Sequence, residues 1–126
     1  MIALAAYGIL IILSLFWIFH LLVLLKIVPY TIVWGGRFTS DKQMYLFELL
    51  SLVIITLIIF IIFVHLGLLP VSFPKGTMSV ILWIITALFA LNTIGNILSK
   101  NKVEKKIFTL ITFILMVFFF ILALHN

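Results

Sequence analysis

No charged side chain occurs between Met1 and Leu25, between Leu49 and Pro74, between Gly76 and Ser99, or between Ile107 and Asn126. A hydrocarbon core of roughly 30 Å takes about 20 helical residues per crossing, so each of these stretches is long enough to span a bilayer. The eight Lys and Arg and the three Asp and Glu are confined to the intervals between them. With 67% apolar and 9% charged residues, the chain lies far outside the range of water-soluble domains. In hydrocarbon the backbone must satisfy its own hydrogen bonds, which leaves the helix as the form open to such runs. The expected fold is all-α: an integral membrane four-helix bundle, antiparallel and up-down, forming one transmembrane domain over residues 1–126.

Local signals set the expected bounds. Helix one runs over about 2–25, stopped by Lys26 and by Pro29, whose ring disfavours helical geometry at Val28. Tyr7, Ser14, Trp17 and Leu21 share one stripe along it. The run lacks a basic flank and a small-residue cleavage site and is expected to be retained as a span. Helix two covers about 41–66, opened by a capping box of Ser40 and Gln43 with Asp41 at the positive end of the dipole. At 1.5 Å per residue it is about 39 Å long, so its first turns, and with them Glu48, stand near the interface. The Pro- and Gly-rich stretch from Gly67 to Thr77 reads as a loop before helix three, about 78–98. Asn101 and Glu104 resemble a second capping box and start helix four, about 102–124. Residues 26–40 form an interfacial connection.

The basic residues orient the spans. Lys26, Arg37 and Lys42 stand in the first connection, Lys75 in the second, and Lys100, Lys102, Lys105 and Lys106 in the third. The positive-inside rule then makes the first and third connections cytoplasmic and puts both termini on the non-cytoplasmic side. The net charge of +5 is a topology signal rather than a nucleic-acid footprint, because these residues are spread over loops. The absence of cysteine excludes disulfides, thiolate metal sites and cysteine nucleophiles.

Polar groups at membrane depth are costly unless they face a partner, a cavity or the interface, and that selects the candidate site. His20 is either a hydrogen-bonded bundle histidine or a proton relay or ligand contact. A metal site is not expected there, since His65 and His125 belong near the opposite surface and metals need several convergent ligands. Glu48, with Ser51 on its face, needs a cation or accepts a raised pKa, and Arg37, Lys42 and His20 are its candidate partners. Asn92 and Asn96, four apart in "LNTIGN", are expected to point inward with Ser99, while Gly95 allows a close backbone approach. They serve either as helix-packing hydrogen bonds or as a polar pocket. Tyr30, Trp34 and Phe38, interleaved with Gly35, Gly36 and Arg37, read as interfacial anchors or as a lid over such a pocket. The outward half is nearly featureless, with Thr56, Thr109 and Thr112 able to bond their own backbone. His20, Trp34, Arg37, Glu48, Asn92 and Asn96 therefore make up the expected cytoplasm-facing cluster.

One span, an aromatic and Gly-Gly segment ("YTIVWGGR", Tyr30 to Arg37) and three more spans, with "LNTIGN" in the third, resemble small bacterial four-span membrane proteins of no assigned activity. Some such families carry a histidine and an aromatic pair just before the Gly-Gly, whereas here His20 lies farther upstream and Val33 precedes Trp34. The resemblance implies a bacterial cytoplasmic membrane and transfers no activity.

The functional expectation is a non-enzymatic membrane protein that binds a small molecule, a lipid headgroup or a membrane partner through this cluster, with no cofactor. The alternative is a small transporter or proton-coupled exporter working as an oligomer, although exporters of this size need an acid deep in the membrane. An intramembrane enzyme ranks below both, because Ser14 lies six residues from His20, nearly opposite on the helix. Paired acids and a Gly-x-Ser-x-Gly elbow are also missing.

The cysteine-free background makes the orientation directly testable. A Ser72→Cys chain in intact cells should react with a membrane-impermeant maleimide, and a Thr39→Cys chain only after permeabilisation. The reverse pattern overturns the assignment.

Overall fold

The computed structural model describes residues 1–29 and 39–126, and every described element is helical. The helices are α1 (Ile2–Leu24), α2 (Asp41–His65), α3 (Thr77–Ile97) and α4 (Thr109–Leu124), the last preceded by a π-helical turn, Glu104–Phe108. Four of the described helical segments are long and apolar enough to cross a membrane.

The helix ends follow the local chemistry. Ser40 Oγ accepts the Gln43 N–H at 3.3 Å, as a capping residue should, but the Gln43 side chain closes the box one residue earlier than expected. Its Oε1 accepts the Thr39 N–H at 2.9 Å and the Thr39 hydroxyl at 3.0 Å. Asn101 Oδ1 accepts the Val103 N–H at 2.9 Å, and Lys102 and Val103 are helical. The ladder then steps into the π turn, which the capping signal did not announce. A π turn carries an extra residue, so side chains before and after it are out of α register by about 100°.

Two helices end in the same hydrogen-bonded motif. After α1, the Lys26 N–H bonds the Val23 carbonyl and the Ile27 N–H the Leu22 carbonyl, both at 2.9 Å. After α2, the Gly67 N–H bonds the Val64 carbonyl and the Leu68 N–H the Phe63 carbonyl, both at 3.0 Å. Each places its central residue in the left-handed region, Gly67 at φ 74° and Lys26 at φ 62°. The Lys26 ammonium bonds the Asp41 carboxylate and lies 5.6 Å from the Tyr45 ring centroid. These contacts tie the end of α1 to the start of α2.

α1 packs between α2 and α4, and α4 between α1 and α3. Ala5, Ala6, Ile9 and Leu13 of α1, Ile62 of α2, Leu82 of α3, and Leu115 and Phe119 of α4 are among the residues of one buried core, with Phe89 stacked on Phe119 at 5.5 Å. A second cluster closes the other end of the bundle: Val23 and Met44 are fully buried, with Phe19, Leu24, Val28 and Phe108 packed on them. At most 33% of the apolar window of any span is buried within the chain. The remaining surface is largely aliphatic and aromatic, as lipid contact requires.

The close approach expected at Gly95 occurs at Gly8 instead. A Cβ on Gly8 would lie 2.7 Å from the Phe118 ring, whereas one on Gly95 would meet nothing within 4 Å. Gly8→Leu should therefore destabilise the protein by about 1–3 kcal/mol through overpacking. Gly95→Leu should be neutral or stabilising by up to about 1 kcal/mol through helix propensity. Thermal unfolding of both variants in the same detergent checks the pair.

Candidate functional site

Glu48 sits two turns into α2 and is completely buried. The helix that covers it is α1, whose His20 brings Nδ1 to 2.5 Å from Glu48 Oε2. The contact pairs an imidazole nitrogen with a carboxyl oxygen at hydrogen-bond distance. Of the three partners the sequence offered for Glu48, His20 is therefore one that the fold brings to it. The imidazole, 16% exposed, is collared by aromatic edges: the Phe16 and Phe19 ring centroids lie 6.0 and 5.5 Å from its own. The Phe108 ring meets both, at 6.0 Å from Phe16 and 5.3 Å from Phe19.

Phe108 also borders a second polar set, between α3 and α4. Its carbonyl accepts the Thr112 hydroxyl at 2.8 Å, and Thr112 Oγ accepts the Asn96 amide at 3.2 Å. The Thr93 hydroxyl lies 3.1 Å from that of Thr112 and 2.8 Å from the Phe89 carbonyl, which share its single proton. One residue thus presents its ring to the His20 collar and its backbone to the threonine and asparagine set.

The expected inward pairing of Asn92 with Asn96 does not hold. Asn96 is half-buried and bonded, whereas Asn92 is exposed, and it is Thr93, one position on, that joins the buried set. Adjacent helical residues are about 100° apart, so the inward face passes through Thr93 and Asn96 and leaves Asn92 outside it. Ser99 is buried as expected, but its Oγ accepts the Asn101 N–H at 3.1 Å and so serves the connection. Thr56 and Thr112 bond the carbonyls four residues back, at 2.7 and 2.8 Å. Thr109 does not: its hydroxyl is buried without a partner. The carbonyl four residues before it belongs to Lys105, inside the π turn, where the ladder runs to the fifth residue. Trp34 and Arg37 lie outside the described residues.

Sequence reasoning missed Thr93, Phe108 and the aromatic collar. The i,i+3 spacing of Thr93 and Asn96 was a usable signal, but nothing in an apolar helix ranked it above Asn92 and Asn96. Among the described residues no three His, Asp or Glu side chains converge as metal ligands. A shallow groove of about 390 Å³ between α1 and α2, lined by Ser14, Trp17, Ile18, Thr56 and Ile59, lies apart from both polar sets. Trp17 Nε1–H donates to Thr56 Oγ there at 3.1 Å, so its polar groups serve the packing of the two helices. No family model, curated protein or solved structure matches this chain.

A buried acceptor stripped of its donor costs about 1–3 kcal/mol, and more when charged, while replacing both partners by apolar groups is close to neutral. His20→Leu alone should therefore lower stability by at least about 2 kcal/mol, and adding Glu48→Leu should recover most of the loss. A thermal-melt double-mutant cycle in detergent measures it. Additive losses would mean that the two side chains act independently.

Proposed function

We propose that this chain is a non-enzymatic, multi-pass protein of a bacterial cytoplasmic membrane that binds a polar ligand at its cytoplasm-facing end. Its helices run antiparallel with both termini on the non-cytoplasmic side. Support for the antiparallel order comes from the pairing of contacts: Trp17 with Thr56 and His20 with Glu48, Trp83 with Phe120 and Asn96 with Thr112. The charge bias of the connections supports the orientation.

The observation that carries the binding reading is uncommitted hydrogen-bonding capacity at one end of an otherwise apolar bundle. Asn92 has an exposed amide, and the half-buried Asn96 uses its amide nitrogen on Thr112. Such groups at the edge of hydrocarbon are favourable where a ligand or a headgroup satisfies them. The ligand classes are a small molecule, a lipid headgroup or a polar surface of a membrane partner. Native mass spectrometry of protein purified in mild detergent should find a retained molecule. Its retention should fall by at least about tenfold in Asn92→Leu, Asn96→Leu protein, equivalent to the loss of one or two hydrogen bonds. Unchanged retention in a properly folded variant overturns the reading.

A proton-coupled transporter is the second reading, and the His20–Glu48 pair favours it. An imidazole and a carboxyl group in hydrogen-bond contact inside spanning helices are the kind of pair that relays protons. Reconstituted vesicles should then show a proton flux that Glu48→Gln abolishes. Vesicles without flux remove this reading and leave the first one standing.

A further inference from the structure

We infer that the ligand at this end is the phosphate-bearing headgroup of an anionic phospholipid, held by the lysines around the connection between α3 and α4 with the Asn92 amide below them. The inference rests on the binding reading and names its chemistry.

Its first support is charge. Lys100, Lys102, Lys105 and Lys106 are all exposed within seven residues, with Glu104 the one carboxylate in that stretch of sequence. The other acidic residues at this end are engaged elsewhere, Asp41 with Lys26 and Glu48 with His20. That leaves a cationic rim for which an anion is the complement, and closely spaced lysines beside a span recruit acidic lipids.

The second support is depth. Asn92 is exposed on a spanning helix, and it lies five residues before the end of α3 at Ile97, which is about 8 Å along the axis. An amide facing lipid at mid-membrane would be costly, but at that depth it meets the ester and glycerol oxygens of a lipid whose phosphate stands at lysine level. A phospholipid offers both sets of acceptors in one molecule and in that order. Topology alone asks for positive charge at this end and does not ask for an outward asparagine.

The test is native mass spectrometry of the full chain in detergent micelles doped with equal amounts of phosphatidylglycerol and phosphatidylethanolamine. Phosphatidylglycerol should be retained preferentially. Lys102→Gln, Lys105→Gln, Lys106→Gln protein should retain it at least about fivefold less, since each lysine at an anionic surface is worth about that factor. Lys75→Gln, at the opposite end, should change nothing. Asn92→Leu alters no charge and so leaves insertion intact, and it too should lower retention. Equal retention of the two lipids, or retention indifferent to both the lysine and the asparagine variants, overturns the inference. Displacement of the lipid by inorganic phosphate at low millimolar concentration would assign the site to a free anion and also overturns it. A different molecule retained in place of lipid removes the lipid assignment while the binding reading stands, whereas an empty protein removes both.

Discussion

A carboxyl group cannot be buried among apolar side chains without a partner, and the packing of α1 on α2 follows from where Glu48 is placed. Burying it on α2 obliges α1 to supply a partner at the same level, and His20 does so. That contact sets the rotation and height of α1 against α2, since a turn in either direction would leave one group exposed to lipid. Phe16 and Phe19 flank the imidazole edge-on and Phe108 packs on both of them, which brings the start of the fourth span against α1. The π turn just before Thr109 is where that demand meets the helix ladder: it re-phases Phe108 against the lysines that precede it.

The two ends of the bundle are held by different forces. Toward the chain termini, small residues on α1 let the helices approach and aromatic rings fill the remaining space, as in the stack of Phe89 on Phe119 and the contact of Gly8 with Phe118. Lipid tails are as apolar as these side chains, so the gain comes from packing rather than from escape from water. Toward the lysine-bearing end, hydrogen bonds do more of the work: the Glu48 and His20 pair, the Thr93, Asn96 and Thr112 set, and the Lys26 and Asp41 pair.

What was legible in the sequence and what was not divides along the same line. The bounds of α1, α2 and α3 were legible to about a residue, because uncharged runs end at charges and because Ser40 and Gln43 carry their capping chemistry openly, whereas the fourth helix expected from residue 102 is interrupted by the π turn before Thr109. Helix faces were not. In a soluble helix polarity marks the outer face, but here inner and outer faces are equally apolar, so Leu, Ile and Phe carry no directional information. The polar exceptions were therefore asked to mark the inside, which succeeded for Glu48 and His20 and failed for Asn92. The same ambiguity put the close approach at Gly95 rather than Gly8, and a π turn leaves no trace in residue spacing from which the fate of the Thr109 hydroxyl could be inferred.

The ends of α1 and α2 show how side-chain contacts override local backbone preference. Both close with the same pair of hydrogen bonds, and both need a residue at positive φ. Where α2 ends, that residue is Gly67, for which the conformation is free of strain. Where α1 ends, it is Lys26, for which the left-handed region costs roughly 1 kcal/mol. A glycine would relieve that strain but would forfeit what the side chain does. Lys26 places a cation beside the carbonyl end of a helix, joins α1 to α2 through Asp41 and the Tyr45 ring, and adds to the charge of the basic end. The Asp41 hydrogen bond holds the Lys26 pKa above its ordinary value. Lysine at a position built for glycine is thus explained by what its side chain reaches, since the contacts with Asp41 and Tyr45 fasten the end of the first span to the start of the second.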